Sequence, residues 1–430
     1  MTPSPGAVAR DLEGRIATLA EQRAAANDQF FAAEAQRLAV VCHQMAERFA
    51  RRGRLVALGR TPAARSDARH VAVEFVHPVI VGKRALPAIG LAGEGGDLAS
   101  QVDLIARADD MAIAFGADED GGEAARAIRL ARGRGCLTIA FAPIGAEWEF
   151  LPPSQDASIR QELVETLYHV LWELVHVFFE HRGLLAGRDA RPVHDAGASS
   201  FLYPFLGERE QALDPVLDDV RRSVLMKSEE IGALRDQTLR GGASELVRAA
   251  GTLRERLESG GKLLALGNGG SATDAMDVVA DFRRPAGRGA HAVRGWPALD
   301  LTEDAAILTA IANDIGTDAI FTRQVMAYGQ PDDVLLALST SGNSVNVIAA
   351  LGEARQRGLA TIAMVGYDGG RIAADGLADH VIVVASEHIP RIQEAQASAY
   401  HVLRELVELV GPGPGPGAGA AAAGEPRPAP

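Results

Sequence analysis

The octapeptide Tyr-His-Val-Leu-x-Glu-Leu-Val occurs twice, as YHVLWELV at residues 168–175 and as YHVLRELV at 400–407. An amphipathic helix needs apolar residues three and four apart, but nothing in that need fixes a Tyr-His pair at its start. Two further stretches match in the same order: RLVALG (54–59) with KLLALG (262–267), and ARGRGCLTIAF (131–141) with ARQRGLATIAM (354–364). Matches in one order mark an internal duplication. The chain is then expected to fold as two copies of one unit, and 430 residues is a length for two cores rather than one.

Each copy alternates short apolar runs with amphipathic stretches. In the first, a long Ala/Leu/Arg/Glu-rich segment over the first 50 residues predicts helix. GRLVALG, ALPAIGLA, MAIAFG and CLTIAFAP then predict buried strands. SDARHVAVEF predicts a helix with a possible cap at Ser66, EAARAIRLARGRG a helix closed by glycine, and residues 159–182 a last helix. The second copy gives helices near 215–238 and 243–258, then GKLLALG, a helix through TDAMDVVADF, and strands at 297–301, VLLAL, ATIAMVG and HVIVVA, with VNVIAALGEARQRG as the matching helix. Strands alternating with helices read as α/β with a parallel, doubly wound sheet. The expected units are 1–185 and 215–410, joined by a loop-like linker at 186–214. The Pro/Gly/Ala tail at 411–430 has little to bury and is expected to be disordered.

The totals exclude some classes of function. A formal charge of −13 argues against a nucleic-acid surface, which needs a basic patch. Two cysteines, Cys42 and Cys136, make no disulfide framework and fit a reducing cytoplasm. No apolar segment follows a basic start at the N-terminus, and LYHVLWELVHVFF is too short and too polar to span a bilayer, so neither secretion nor a membrane is expected.

Chemistry concentrates in the second copy. GNGGS (267–271) and STSGNS (339–344) each leave an apolar strand and enter a helix. Free backbone N–H groups and the helix dipole there favour an anion, and Ser339, Thr340, Ser341 and Ser344 could surround one phosphate, with Gly342 allowing close approach. One such turn reads more readily as a capped helix; two at strand C-terminal ends of one sheet favour an anion site.

Beyond these turns, GNGGSATDAMDVVADF, AIANDIGTDAIFTRQV, LALSTSGNSVNVIAAL and RIQEAQASAYHVL resemble the sugar isomerase (SIS) family in its phosphoheptose isomerase branch, over about residues 215–410. The resemblance implies tandem flavodoxin-like α/β/α domains with added N-terminal helices, the first of them degenerate. It also implies aldose–ketose isomerisation of a phosphorylated sugar, sedoheptulose 7-phosphate above all. A non-catalytic member binding a sugar phosphate or a protein partner is the alternative. Relatives form homotetramers with sites between subunits, so a homodimer of duplicated chains is expected. An aminosugar synthase lacks its N-terminal cysteine here.

Carried over by motif, Asn268, Gly269, Gly270 and Ser271 match the sugar-contacting turn, Asn313 and Asp314 an Asn-Asp pair, and Ser339, Thr340, Ser341 and Ser344 the phosphate cradle. The family's His-x-x-x-Glu and Gln-x7-His pairs form a metal site, usually zinc, in which the Glu and the last His serve as base and acid. The first copy retains all four metal-type residues, His70, Glu74, Gln161 and His169. The second has Asp277, Asp281, Gln393 and His401, which makes Asp281 and His401 its catalytic candidates. Conversely, the first copy has GRTPA (59–63) and an acidic GADEDGG (116–122) where the turns should be, and Asp118, Glu119 and Asp120 would repel phosphate. Such complementary wear permits two arrangements: composite sites that draw on both copies, or one site per copy with the first purely structural.

Overall fold

The computed structural model describes residues 5–79, 83–92, 96–117, 121–180, 212–285 and 295–410. The acidic turn at 118–120, nearly all of the 186–214 linker and the 411–430 tail lie outside these. Two five-stranded sheets form, and every strand pairing is parallel. The first holds β1 (Leu55–Gly59), β2 (Ala88–Leu91), β3 (Met111–Phe115), β4 (Leu137–Ala140) and the short β5 (Trp148–Glu149) in the order β2-β1-β3-β4-β5. The second holds β6 (Leu263–Leu266), β7 (Ala298–Asp300), β8 (Val334–Ser339), β9 (Ala360–Gly366) and β10 (His380–Val384) in the order β7-β6-β8-β9-β10. The two topologies are the same, as the repeated sequence requires.

Alternation along the strands builds the layers. Leu55, Ala57, Met111, Ile113 and Phe115 enter one core of the first sheet, while Val56, Leu58, Ala112 and Ala114 enter another. Leu263, Ala265, Val334 and Leu336 likewise face away from Leu264, Leu266, Leu335 and Ala337 in the second. A pleated strand points successive side chains to opposite faces, so runs apolar throughout need helices on both. The fold is α/β/α twice over. Cys42 and Cys136 are both buried free thiols, and among the described residues no helix is long and apolar enough to cross a membrane.

Two long helices tie the sheets together. The helix Pro5–Ala50 places Leu12, Ile16, Leu19 and Ala20 in the second sheet's core and Phe30, Leu38, Cys42 and Met45 in the first sheet's. Its 46 residues make it about 69 Å long, enough to reach both. The helix Leu213–Gly241 answers it, with Val216, Val220 and Val224 in the first core and Leu239 in the second. Burying these residues at about 25 cal/mol per Å² makes the two sheets one packed body.

The helix that carries His70 starts earlier than the sequence suggests. It runs Pro62–Val76; the Thr61 hydroxyl accepts from the Ala64 N–H as the cap, and Pro62 takes the first turn, where its missing donor costs nothing. Ser66, the expected cap, is buried inside the helix and donates to the Ala63 carbonyl. This helix packs on the helix Gly270–Arg283 of the second half, and the helix Ala157–Glu180 packs on Ile389–Leu409. Every predicted metal-type residue lies on one of these four helices.

Candidate active site

At the end of β6 the chain turns through Gly269, with φ 59° and ψ −123°, into the helix Gly270–Arg283. Gly270 is where the two halves meet. A Cβ there would lie 2.0 Å from Gln393 Nε2 and 2.7 Å from His70 Nε2, so no other residue fits without displacing both. Gln393 comes from the second half's last helix, and His70 reaches over from the first half.

Around that point the buried polar side chains converge. His169 Nε2 lies 3.3 Å from His70 Nε2, and Gln393 Nε2 lies 3.4 Å from it. Glu74, one turn along from His70, brings Oε1 to 3.8 Å from His70 Nε2. The Tyr168 hydroxyl is 3.0 Å from His70 Nδ1, and Glu394 Oε1 is 2.9 Å from His169 Nδ1. Burial and the neighbouring His169 push His70 well below the usual imidazole range; burial, opposed by His169 and helped by Glu173, lifts Glu74 to about 7.

These residues fit a metal. Two imidazole nitrogens facing each other at 3.3 Å cannot both carry hydrogen. Glu74 Oε2 and Gln393 Oε1 are buried without a hydrogen-bond partner, and the ligand atoms of His70, Glu74 and His169 lie within 4.8 Å of one another. Two imidazoles, a carboxylate and an amide oxygen form a donor set that zinc accepts. The quartet differs from the expected one in its glutamine. Gln393 stands beside His70, whereas Gln161 hydrogen-bonds Asp67 and shares a small cavity with Thr61 and Arg284.

The other quartet forms a different object. His401 Nε2 lies 3.3 Å from Asp277 and 3.4 Å from Asp281, and its Nδ1 lies 3.0 Å from Glu162. Tyr400 donates to Asp277 at 2.8 Å, as Tyr168 stands by His70. Burial opposes a charge on His401, but hydrogen bonds to Asp277 and Glu162 and the charge of Asp281 raise it to about 10. Of the residues expected to hold a metal in the second half, Asp277, Asp281 and His401 stand together, while Gln393 lies beside His70 in the other cluster.

The sugar-side motifs gather near the Gly270 turn. β6 and β8 are paired neighbours at the point where strand order reverses, the usual place for a ligand crevice. The Asn268 and Asn346 amides exchange hydrogen bonds at 2.9 Å, linking the turn after β6 to the helix Val345–Gln356 after β8. Ser339 and Ser344 hydroxyls lie 3.3 Å apart, and the Ser341 hydroxyl accepts from the Asn343 N–H at 3.2 Å. Gly342 has φ 62°, and a Cβ there would strike the Gly369 carbonyl at 2.1 Å. Thr340 is half-buried in the same turn, and Ser271 is buried as the helix begins. Asn313 and Asp314 stand apart, exposed at the end of the helix Ala305–Asp314 and bonded to each other.

Comparison with known proteins gives the same picture. Residues 228–366 match the family model of the SIS domain. Over 197 residues the chain is 40% identical to the phosphoheptose isomerase of Nitratidesulfovibrio vulgaris, covering 44% of this chain and 89% of that one. The chain belongs to the SIS family. The phosphoheptose isomerase of Geobacter sulfurreducens is 42% identical over 193 residues, with 97% of its length covered. In fold alone, this SIS chain is similar over 90% of its length to the C-terminal domain of glucosamine-fructose-6-phosphate aminotransferase from Francisella tularensis (93% of that chain, TM-score 0.57, 9% identity). That likeness spans both sheets.

The carboxylates behind the histidines, Glu394 and Glu162, escaped the sequence reading. A signal for them exists: both copies write Gln-Glu, at 161–162 and 393–394, eight residues ahead of the repeated His.

Proposed function

We propose that the chain is an aldose–ketose isomerase of phosphorylated sugars, interconverting sedoheptulose 7-phosphate and an aldoheptose 7-phosphate at one composite site. The observation that carries this reading is the convergence of His70, Glu74 and His169 from the first half on the Gly270 turn and Gln393 of the second. The substrate phosphate docks on Ser339, Thr340, Ser341 and Ser344 at the N-terminus of the helix Val345–Gln356, whose cap Ser344 makes no side-chain bond to the helix and whose dipole favours an anion. Asn268 and Ser271 line the adjoining turn, and Asn313 and Asp314, which stand apart at the end of the helix Ala305–Asp314, would meet the sugar only if that helix moved toward it.

His70, Glu74, His169 and Gln393 would hold zinc, which when bound supplies Lewis-acid polarisation of a carbonyl oxygen. Glu74, lifted to about 7 by burial in the site without metal, would act as the base with the oxygen it does not give to the metal. It takes the proton from the carbon beside the carbonyl and returns it to the neighbouring carbon. His169 Nε2, where the metal does not hold it, moves the second proton between the two oxygens, and the sums of protons and electrons on substrate and product are equal. Asp281 and His401, the second half's own candidates, serve as a neutralised ion cluster. On this reading the Asp277/Asp281 pair has no part in catalysis. The unit boundaries proposed are those of the repeat, 1–185 and 215–410, with the chain pairing as a homodimer.

The test is to incubate purified protein with sedoheptulose 7-phosphate and zinc and to follow aldose signals by NMR. No aldose, with the sugar phosphate still bound, would replace the enzyme by a binding protein.

A further inference from the structure

The Gln-Glu dipeptide performs two jobs in two directions. Successive helical residues point about 100° apart, so Gln393 faces the Gly270 turn while Glu394 faces the neighbouring helix Ala157–Glu180. There Glu394, with no exposed surface, sets Oε1 2.9 Å from His169 Nδ1. Its other oxygen accepts from the Thr166 hydroxyl at 3.2 Å, and Arg391 Nη1 donates to both oxygens at 2.7 and 2.5 Å. Arg391 is itself held by Glu173, which pairs with Lys227. The carboxylate is thus fixed by Arg391 of its own helix and by Thr166 and Glu173 of the first half's helix Ala157–Glu180.

We propose that Glu394 is a positioning residue that fixes the tautomer and orientation of His169 across the boundary between the halves. The inference rests on the reading of His169 as a site residue. An ionised carboxylate can only accept, so His169 carries its hydrogen on Nδ1 and turns the Nε2 lone pair toward His70 and Glu74. The reverse tautomer would aim an N–H at His70 Nε2 and leave nothing to bind a metal or take a proton. Carboxylates behind metal-binding or acid–base histidines act in this way, and losing one typically costs 10–100-fold in affinity or activity.

The molecule carries its own control. Glu162 Oε1 stands 3.0 Å from His401 Nδ1, Arg23 grips both of its oxygens at 2.9–3.1 Å, and Oε2 accepts from the Ser398 hydroxyl at 2.5 Å. This is the same device on the histidine that faces Asp277 and Asp281. A purely structural buried carboxylate should matter equally at both places. A positioning residue should matter at one.

The experiment compares full-length Glu394→Gln and Glu162→Gln, which keep side-chain volume and lose charge. Each is measured for zinc affinity by chelator competition, for kcat and KM with sedoheptulose 7-phosphate, and for melting temperature. For Glu394→Gln we expect zinc affinity and kcat both about 10–100-fold lower, with KM within about threefold; Glu162→Gln should keep both despite a similar drop in melting temperature. Equal loss in the two variants, or none in either, would overturn the proposal. If the wild type bound zinc but did not isomerise, the zinc arm alone would decide, and the functional reading would fail separately. Should Glu394→Gln not fold, Glu394→Asp against Glu162→Asp makes the same comparison, with the shortened carboxylate withdrawn from Nδ1.

Discussion

The two buried clusters are built on one plan and end in opposite electrical states. In both, a residue at the third turn of one half's helix faces a histidine backed by the other half's glutamate, with a tyrosine hydroxyl alongside. At 2.9 and 3.0 Å the two glutamate–histidine contacts are nearly the same. The difference lies in one pair of residues. Where the first half has His70 and Glu74, the second has Asp277 and Asp281. Exchanging a neutral ligand for an anion adds a negative charge in a place water cannot screen. Around His401 the acidic neighbours favour a proton on the ring, whereas burial disfavours one on His70. On our reading these two substitutions, His to Asp and Glu to Asp, separate a seat for a metal from a seat filled by a proton.

The largest expected break in this comparison is catalytic. Glu74→Gln should lower kcat/KM for sedoheptulose 7-phosphate by about 10³-fold, the scale of a lost general base, whereas Asp281→Asn should change it by less than about threefold. Progress curves by NMR on both variants check this. Comparable losses would mean the second cluster also works.

Metal content follows. Wild type should retain about one zinc per chain, His70→Ala should retain none, and Asp277→Ala should keep its one, by elemental analysis. The comparison sharpens in reverse: Asp277→His with Asp281→Glu rebuilds the first cluster's ligands around His401 and should raise zinc to about two per chain. A count that stays at one would show that more than these two residues separates the clusters.

A smaller effect concerns the phosphate. Ser341→Asp puts a carboxylate into the cradle and should raise KM, or the dissociation constant by calorimetry, about tenfold or more, with kcat much less affected. Unchanged binding would reduce STSGNS to a helix cap.

Much of this was legible in the chain itself. The repeat predicts two equal sheets, and the strand order repeats accordingly. Buried strands such as LVALG and VLLAL carry their assignment in length and composition alone. Each of His70, Glu74, His169 and Gln393 is recognisable from its match to the motifs of the SIS family. Their partnership is not, because spacing fixes the face of a helix and says nothing of which helix lies opposite. Thus Gln161 pairs by sequence with His169 yet stands with Asp67, and Gln393 stands with His70. The Thr61 cap was hidden by Ser66, an equally good capping residue that sits one turn inside the helix. Two-residue β5 and the helix Ala305–Asp314, which buries none of its residues, have too little pattern to read.

The smallest effect tests the proton on His401. The groups facing that ring are Asp277, Asp281 and Glu162, with Tyr400 on Asp277, Arg284 on Asp281 and Arg23 on Glu162. Its folded-state value, about 10, lies above the ordinary 6.5. Stability from the bound proton is therefore complete below the unfolded value and is lost as pH rises through the folded one. One titrating group changes the unfolding free energy by at most about 1.4 kcal/mol per pH unit between those values. Urea unfolding of wild type between about pH 7.5 and 9.5 should accordingly fall by roughly 1 kcal/mol per unit. His401→Gln, though less stable at the lower end, should lack that slope, because its amide has no proton to lose. The first cluster offers no such term, since His70 lies on the other side of the imidazole range. If His401→Gln kept the wild-type slope, the proton would reside elsewhere, and the contrast between a metal seat and a proton seat would need another cause.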